Sequence, residues 1–173
     1  MEPIPARIHA ARPGDVWLLP AIERAAAQAF RAVGIDGPFL DEVKPVEAHL
    51  AAQAEGRLLV AESEDGLPIG FALIEPVDGA PHLEELDVHP HHARRGIGAA
   101  LVRACVAWAR ARGAGSLTLS TFRDVPWNAP FYARHGFQPL VAGELGPGLR
   151  RIVARERAEG IPMERRVVMR CEL

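Results

Sequence analysis

Apolar positions in residues 82–112 first alternate and then recur at helical spacing, which predicts a strand, a glycine loop and a long helix. Within the strand, Leu86 and Val88 share one face at period two, but Leu83 has the wrong parity for that face. One extra residue at either of the two glutamates that follow Leu83, a β-bulge, would bring all three side chains to the core. Bulges often lie beside active sites, so these glutamates are candidates for chemistry.

The glycine loop has the features of an anion site. Gly96 and Gly98 stand at the entrance of a helix predicted over 99–112, where the first amides have no partner within the helix and the macrodipole favours negative charge. Arg94 and Arg95 add positive charge, and the glycines let a ligand approach the main chain, as in phosphate-binding loops. Gly113 stands where a glycine commonly ends a helix. The apolar face of this helix comprises Ile97, Leu101, Ala104, Cys105, Trp108 and Ala111.

The order of elements, β-α-α-β-β-β-α-β-α-β-α-β, predicts an α/β fold (α+β by some schemes) with antiparallel strands first and a crossover later. Asp15 is expected to cap the first helix, and 34–45 is expected to be a loop. The remaining strands are predicted at 6–10, 57–63, 67–75, 116–122, 137–141 and 167–171, and the remaining helices at 16–30, 46–55, 128–135 and 149–159.

The composition excludes several classes of protein for this chain. The 173 residues suit one domain, 1–173, and a hydrophobic content of 49% supports a packed core. A formal net charge of −2 gives no reason to expect binding to nucleic acid or to an anionic membrane. The two cysteines are too few for a disulfide framework, and no apolar stretch resembles a signal peptide or a membrane span. A cytoplasmic location is therefore expected.

Two motifs carry a family resemblance. One is the strand end Leu86–Val88 leading into Arg-Gly-Ile-Gly at 95–98, and the other is Asn-Ala-Pro-Phe-Tyr-Ala-Arg-His-Gly-Phe at 128–137. In this order, with a strand between them, they resemble the GNAT superfamily of acyl-CoA-dependent N-acetyltransferases. One departure is Ala93, where that family usually has Gln or Arg. The resemblance implies a single GNAT-like domain with a mixed, mostly antiparallel sheet, a central splayed strand pair and flanking helices.

The resemblance also implies acetyl-CoA as the acyl donor and no metal. Its pyrophosphate would rest on the loop amides, its pantetheine arm would run beside the central strand where the sheet splays, and Tyr132 would lie near the sulfur. Asn128 would bind the arm from the other side. The residues implied in coenzyme binding are Leu86, Asp87, Val88, Arg94, Arg95, Gly96, Ile97, Gly98, Ala99 and Asn128.

The chemistry requires a base and an acid. An acceptor amine with a pKa of roughly 10.4 is protonated at neutral pH and must lose a proton before it attacks the thioester. Glu84, Glu85 and His82 are the candidate bases, and Glu84 is preferred because a subgroup of the similar family has an acidic pair here. Tyr132 is the candidate acid for the leaving thiolate, and the amide of Val88 or its neighbour would receive the oxyanion.

Other interpretations stay open or are set aside. His82, His89, His91 and His92 are better explained as solvated loop side chains than as metal ligands, and the absence of a third glycine argues against a dinucleotide loop. The expected reaction is acetyl transfer to a primary amine of a small molecule or peptide by direct attack in a ternary complex. The rivals are a catalytically silent acyl-CoA-binding module and a transferase of another acyl group. The acceptor and the oligomeric state, including a homodimer, are left open.

Overall fold

The computed structural model describes residues 6–173. Within that range the strands are β1 (Arg7–Ala10), β2 (Leu58–Glu62), β3 (Pro68–Val77), β4 (Ala80–Val88), β5 (Ser116–Phe122), β6 (Gln138–Pro139) and β7 (Arg166–Glu172). The α-helices are α1 (Leu19–Ala27), α2 (Val46–Ala54), α3 (Ile97–Ala111), α4 (Ala129–Ala133) and α5 (Pro147–Ala158). None of the helices found in this range is long and apolar enough to cross a membrane.

The strands form one sheet in the order β1-β2-β3-β4-β5-β7-β6. Every neighbouring pair is antiparallel except β4 and β5, which are parallel and are connected through α3. A parallel pair requires a crossover of this kind, because the chain must return to the same end of the sheet. The predicted fold class, with a mixed and mostly antiparallel sheet, is confirmed.

Alternating residues of the middle strands build a core on each face of the sheet. On β2, Leu58 and Val60 pack in the core formed with α1 and α2, whereas Leu59 and Ala61 pack in the core formed with α3. A strand whose two faces are both covered becomes apolar at every position, and all of β2 is buried. Helices on both faces therefore hold the central strands, including β4, in place.

A β-bulge in β4 decides the geometry of the centre, as the parity of its apolar residues predicts. Leu73 of β3 pairs with Glu85, and the next residue, Ile74, pairs with Leu83, so Glu84 has no partner in the register. With this extra residue, Leu83 is buried in the α3-side core, and Leu86 and Val88 pack against the same core.

The sheet opens at the same point. The parallel pairing of β4 with β5 is confined to His82 with Thr118 and Leu83 with Leu119. Beyond it, the two strands diverge, and the predicted splay of the central pair is confirmed. The main chain of β4 after Leu83 thus borders a gap in the middle of the sheet.

The prediction of one α-helix over 16–30 is wrong. The structure divides this stretch into a 3-10 turn at Asp15–Leu18, the helix α1, and a second 3-10 segment at Gln28–Val33. Pro20 accounts for the first division, because it lacks an N–H and its ring clashes with the carbonyl four residues earlier. An α-helical ladder therefore cannot run from Val16 through Pro20.

The expectation that Asp15 caps this helix is also wrong. Its buried carboxylate points back along the chain and accepts the main-chain N–H of Arg12 at 2.7 Å and the Nη2 of the same residue at 3.1 Å. The side chain therefore closes the turn before the helix and leaves the first helical amides uncapped.

Two late elements are shorter than predicted. The strand expected at 137–141 is reduced to β6, which pairs with β7 at Gln138 and Pro139, and the N–H of Leu140 adds one further bond to the carbonyl of Val168 at 2.8 Å. The helix expected at 128–135 is reduced to α4, and the left-handed Gly136, at φ 90°, turns the chain toward β6. The ends of the other predicted elements shift by no more than two residues.

The turn between β3 and β4 anchors α5. Asp78 and Gly79 both have positive φ, 52° and 76°, as a two-residue hairpin turn of the Asp-Gly type requires. The Asp78 carboxylate accepts the N–H of Gly148 at 2.6 Å and that of Leu149 at 3.2 Å. These are donors of the first turn of α5, which have no acceptor within the helix. A hairpin turn thus serves as the N-terminal cap of a helix about seventy residues away in sequence.

Replacement of Asp78 by alanine should lower the free energy of unfolding by about 1–2 kcal/mol, because the first turn of α5 loses its acceptor. Asp78→Asn is the matched control, since asparagine tolerates the positive φ and keeps one acceptor oxygen. We expect urea denaturation to show a clearly smaller loss for the asparagine variant. Equal losses in the two variants would mean that the side-chain cap contributes nothing.

Candidate functional site

The loop before α3 presents a run of free main-chain amides. Arg94, at φ 61°, and Gly96, at φ 81°, adopt the left-handed conformation, and Gly96 caps α3. The Gly96 carbonyl accepts the N–H of Ala100 at 3.0 Å, but in the part of the chain that the structure describes no acceptor binds the amides of residues 94–99. These are the predicted pyrophosphate-binding residues. Unpaired N–H groups at a helix N-terminus favour an anion such as a phosphate.

The packing around Gly98 leaves room for a Cβ atom at this position. A Cβ built on Gly98 would lie 3.6 Å from Cζ of Phe131 and 3.9 Å from Cδ2 of Leu86, both ordinary van der Waals distances. The protein's own packing therefore does not demand a glycine at this position, and its backbone conformation is helical. The same contact brings the loop next to Leu86 on β4.

A cavity of about 230 Å³ lies where β4 and β5 diverge. The side chains that line it come from β4, β5, α1, the loop 34–45 and the start of α4. It brings together these predicted site residues: Glu84, Glu85, Leu86, Asp87, Asn128 and Tyr132. Val88 and the loop residues 94–99 lie outside its lining, and the loop adjoins it through Leu86.

Glu84, the bulged residue, is held by cations. Its Oε1 accepts Nη2 of Arg155 at 2.8 Å and Nζ of Lys44 at 3.4 Å, and its side chain is only 10% exposed. Burial works to raise the pKa of Glu84, but Lys44 and Arg155 outweigh it and hold the pKa below the ordinary value. An ion-paired carboxylate with a lowered pKa is a weaker proton acceptor than a free one.

Glu85 lies in the opposite electrostatic environment. Burial and the neighbouring carboxylates of Asp87 and Glu23 raise the pKa of Glu85 well above its ordinary value. Its Oε2 is buried and makes no hydrogen bond to the described residues. Burial, together with Glu23, also raises the pKa of Asp87 to about 8. Two adjacent glutamates therefore differ in pKa because Glu84 lies beside two cations and Glu85 beside two carboxyl groups.

Tyr132 is positioned by aromatic packing. Its ring meets Phe131 at 5.2 Å and Phe137 at 5.7 Å between centroids, both edge-on, and only 7% of the residue is exposed. Burial raises the pKa of Tyr132, so its hydroxyl keeps its proton at neutral pH. Since the residue lines the cavity, it offers a proton donor there.

Asn128 and His82 complete the predicted set. The Oδ1 of Asn128 is buried and has no hydrogen-bond donor among residues 6–173, so it offers an acceptor to a ligand. The interpretation of His82 as a solvated loop side chain is wrong, because it lies within β4 and is 1% exposed, with its Nδ1 2.8 Å from Oγ1 of Thr118. Burial lowers the pKa of His82, so it is neutral at pH 7. Its Nε2 lies 3.8 Å from Oε2 of Glu84.

Sequence reasoning missed the side chains that surround the two glutamates: Glu23, Lys44, His49 and Arg155. One signal was available. Glu23 continues the apolar stripe of α1 set by Leu19 and Ile22, so an acid occupies a core-facing position, and it is 9% exposed. For Lys44 and Arg155 no sequence pattern distinguishes a buried partner from a solvated charge.

The chain is similar to known acetyltransferases. The family model described as "Acetyltransferase (GNAT) family" matches residues 19–137. Mycothiol acetyltransferase of Mycolicibacterium vanbaalenii is 40% identical over 90 residues, which make up 50% of this chain and 29% of that protein. Mycothiol acetyltransferase of Nocardiopsis dassonvillei is 38% identical over 76 residues, 44% of this chain and 23% of that protein. The matched part is thus less than a third of the length of these relatives.

The fold is similar to that of solved acetyltransferases. The PaiA N-acetyltransferase from Thermoplasma acidophilum, solved in complex with coenzyme A, superposes with a TM-score of 0.71. The superposition covers 97% of this chain and 99% of that chain at 16% sequence identity. At this identity the likeness shows the fold alone.

Replacement of Glu84 by glutamine should lower the free energy of unfolding by roughly 1–2 kcal/mol, because it leaves the charges of Lys44 and Arg155 without their partner. Arg155→Gln should cost less, since half of that side chain is exposed to solvent. Urea denaturation of both variants would measure the difference. A Glu84→Gln protein as stable as the native chain would show that these ion pairs do not hold the site.

Proposed function

Because the chain belongs to the GNAT family of acetyltransferases, we propose that it moves the acetyl group of acetyl-CoA to a primary amine of a small molecule or peptide. The amine attacks the thioester directly, in a ternary complex of protein, acyl donor and acceptor. The relative from Thermoplasma acidophilum with coenzyme A bound supports acetyl-CoA as the donor.

The observation that carries the proposal is that two stretches of main chain next to Leu86 have unpaired hydrogen-bonding groups: the loop before α3 and the edge of β4 that faces β5. On one side, the amides of residues 94–99 are available to the diphosphate of the donor. On the other, β4 after Leu83 has no strand beside it on the β5 side within the described range, so an extended pantetheine arm can lie along it. Asn128 offers its unpaired Oδ1 to an N–H of this arm. The gap leads into the cavity that holds Glu85 and Tyr132.

Glu85 serves as the base in this proposal. In its ionised form it accepts the proton that the acceptor ammonium loses, directly or through water. Its Oε2 has no partner among the described residues, and a raised pKa makes the carboxylate a stronger base. The preference for Glu84 drawn from the sequence stays untested, and its two ion pairs favour Glu85 instead. Glu84 then has a structural role, because its ion pairs connect β4 to Lys44 and to Arg155 of α5.

Tyr132 completes the reaction. As the amine nitrogen bonds to the carbonyl carbon and the carbon–sulfur bond breaks, the phenol gives its proton to the departing thiolate. The bonded nitrogen then gives its second proton to the phenolate, directly or through water, which restores Tyr132. A main-chain amide of β4 near Val88 stabilises the oxyanion that forms in between. The proton taken by Glu85 passes to solvent after the products leave.

The cavity walls favour a cationic acceptor. Glu23, Glu42, Glu85 and Asp87 all line the space. The one arginine of the described lining, Arg166, is paired with Glu156, and the apolar wall of the cavity includes Phe39 of the loop 34–45. Carboxyl groups attract an ammonium group and steer it toward the base.

Replacement of Glu85 by glutamine should reduce kcat for acetyl transfer about 10²- to 10⁴-fold at pH 7, because the acceptor then keeps its proton. Activity of this variant should recover as the pH approaches the pKa of the acceptor, where the free amine no longer needs a base. The measurement is CoA release over a panel of amines as a function of pH. Glu84→Gln is the control, and we expect a loss of less than about tenfold.

Tyr132→Phe should lower kcat in the same assay and leave KM for acetyl-CoA unchanged, since the ring packing is preserved and only the donated proton is lost. Full activity in both Glu85→Gln and Tyr132→Phe would refute the assigned roles. Acetyl-CoA binding without turnover by the native chain, over the whole panel, would favour the silent acyl-CoA-binding module instead.

Gly98→Ala separates the coenzyme site from protein stability. The protein has room for the methyl group, so thermal denaturation of the coenzyme-free variant should match the native chain or exceed it. The affinity for CoA in calorimetry should fall at least about tenfold, because the methyl group meets a ligand lying on the amides. Unchanged affinity for CoA would place the diphosphate elsewhere.

A further inference from the structure

His49 of α2 is buried in a way that requires a partner. It is 0% exposed, its ring lies edge-on to Phe71 at 5.4 Å between centroids, and neither ring nitrogen forms a hydrogen bond to the described residues. A buried polar group without a partner is destabilising, and native proteins rarely leave one unsatisfied. A partner from outside residues 6–173 is therefore expected for these nitrogens.

Two carboxylates from other elements converge on the same point. One ligand atom each of Glu23 (α1), His49 (α2) and Glu85 (β4) lie within 4.8 Å of one another. Oxygen Oε2 of Glu85 is buried and free of protein partners in the described range. The Glu23 carboxylate is held in place by the N–H of Lys44, at 3.0 and 3.2 Å from its two oxygens.

The cation nearest to this cluster is shared with Glu84. The charge of Lys44 acts on Glu23 and Glu85, but the hydrogen bond of its ammonium is to Glu84, 3.4 Å away, which also binds Arg155. Asp87 adds a further carboxyl group to the same cavity wall. An imidazole nitrogen with two carboxylate oxygens is a donor set typical of zinc and related divalent ions.

We propose that Glu23, His49 and Glu85 form a binding site for Zn²⁺ or a similar first-row divalent ion. Bonds of about 2.0–2.2 Å to each ligand would need the side-chain ends to close in by no more than roughly 1 Å. The N–H of Lys44 supplies the outer contact that commonly orients a ligating carboxylate. Because Glu23 and Glu85 line the cavity, the ion has a route from solvent, and its fourth position can take a water.

Such an ion would regulate the reaction. With Glu85 engaged on the metal, the proposed base is no longer available, so bound Zn²⁺ would inhibit acetyl transfer. This consequence rests on the proposed function, whereas the binding itself does not.

The binding is tested on the full chain without coenzyme. Zn²⁺ alone should raise the melting temperature and bind in calorimetry, a chelator should reverse both effects, and Mg²⁺ should have a much smaller effect because the set includes imidazole. His49→Leu should weaken Zn²⁺ binding at least about tenfold, and this variant should fold because it removes the unsatisfied nitrogens. Glu23→Gln, which preserves the shape of the side chain, should weaken it likewise.

His91→Ala is the matched control, because His89, His91 and His92 lie close together in the loop before α3 and are the obvious alternative for adventitious Zn²⁺. We expect the His91→Ala variant to bind Zn²⁺ with the affinity of the native chain. Loss of binding in His91→Ala, equal binding in native protein and His49→Leu, or no stabilisation of the native chain by Zn²⁺ would each overturn the site and leave water as the partner of His49.

Inhibition is measured separately as CoA release at increasing Zn²⁺ concentration. The native chain should lose activity over the range in which calorimetry shows binding, and His49→Leu should need at least about tenfold more Zn²⁺ for the same inhibition. Zn²⁺ that binds through His49 without inhibiting would support the metal site and contradict Glu85 as the base. The two proposals therefore fail independently.

Discussion

The extra residue in β4 is the constraint on which the rest of the structure depends. Without it, the apolar side chains before and after Glu84 would point to opposite faces of the sheet, and one set would lose its core. The bulge keeps both sets buried at the cost of the register with β5, so the two parallel strands pair at only two positions and then separate. The gap that follows is a consequence of core packing, and it supplies the only unpaired strand edge that the described chain shows at the centre of its sheet.

The same distortion gives two neighbouring glutamates different chemistry. Glu84 lies among cations on the side of α5, where ion pairs keep it charged. Glu85 lies among carboxyl groups near α1, where burial and like charge favour its protonated form. In a regular strand two successive side chains would point to opposite faces, whereas the bulge keeps Glu84 and Glu85 both off the face that α3 covers, with α5 beside one and α1 beside the other. The surroundings of Glu85 therefore favour the binding of a proton or a cation, whereas those of Glu84 do not.

The polar groups that matter at the site are those left without protein partners. The loop amides before α3, Oδ1 of Asn128, Oε2 of Glu85 and both nitrogens of His49 are all unpaired within residues 6–173. Folded proteins satisfy nearly all of their buried polar groups, so such a concentration marks the places where ligands complete the structure. The first two suit an acyl donor, and the last two suit a proton or a metal ion.

Two motifs carried the family resemblance, and the order of elements, the bulge and the glycine loop followed from the sequence by itself. Each depends on local spacing: the parity of Leu83 against Leu86, the helical stripe after Ile97, and the position of two glycines at a helix entrance. Local steric rules act over a few residues, so the pattern records them directly.

Tertiary structure alone decided the electrostatics of the site. Glu23, Lys44, His49, Glu85 and Arg155 are far apart in the chain, and no periodicity states which charges meet across α1, α2, β4 and α5. The first helix was predictable only in part. The sequence contains Pro20, which explains the break, but it gives no sign that Asp15 binds Arg12 instead of capping the helix. The pKa of an ionisable group depends on what lies within a few ångströms of it in space, and that neighbourhood is created by packing.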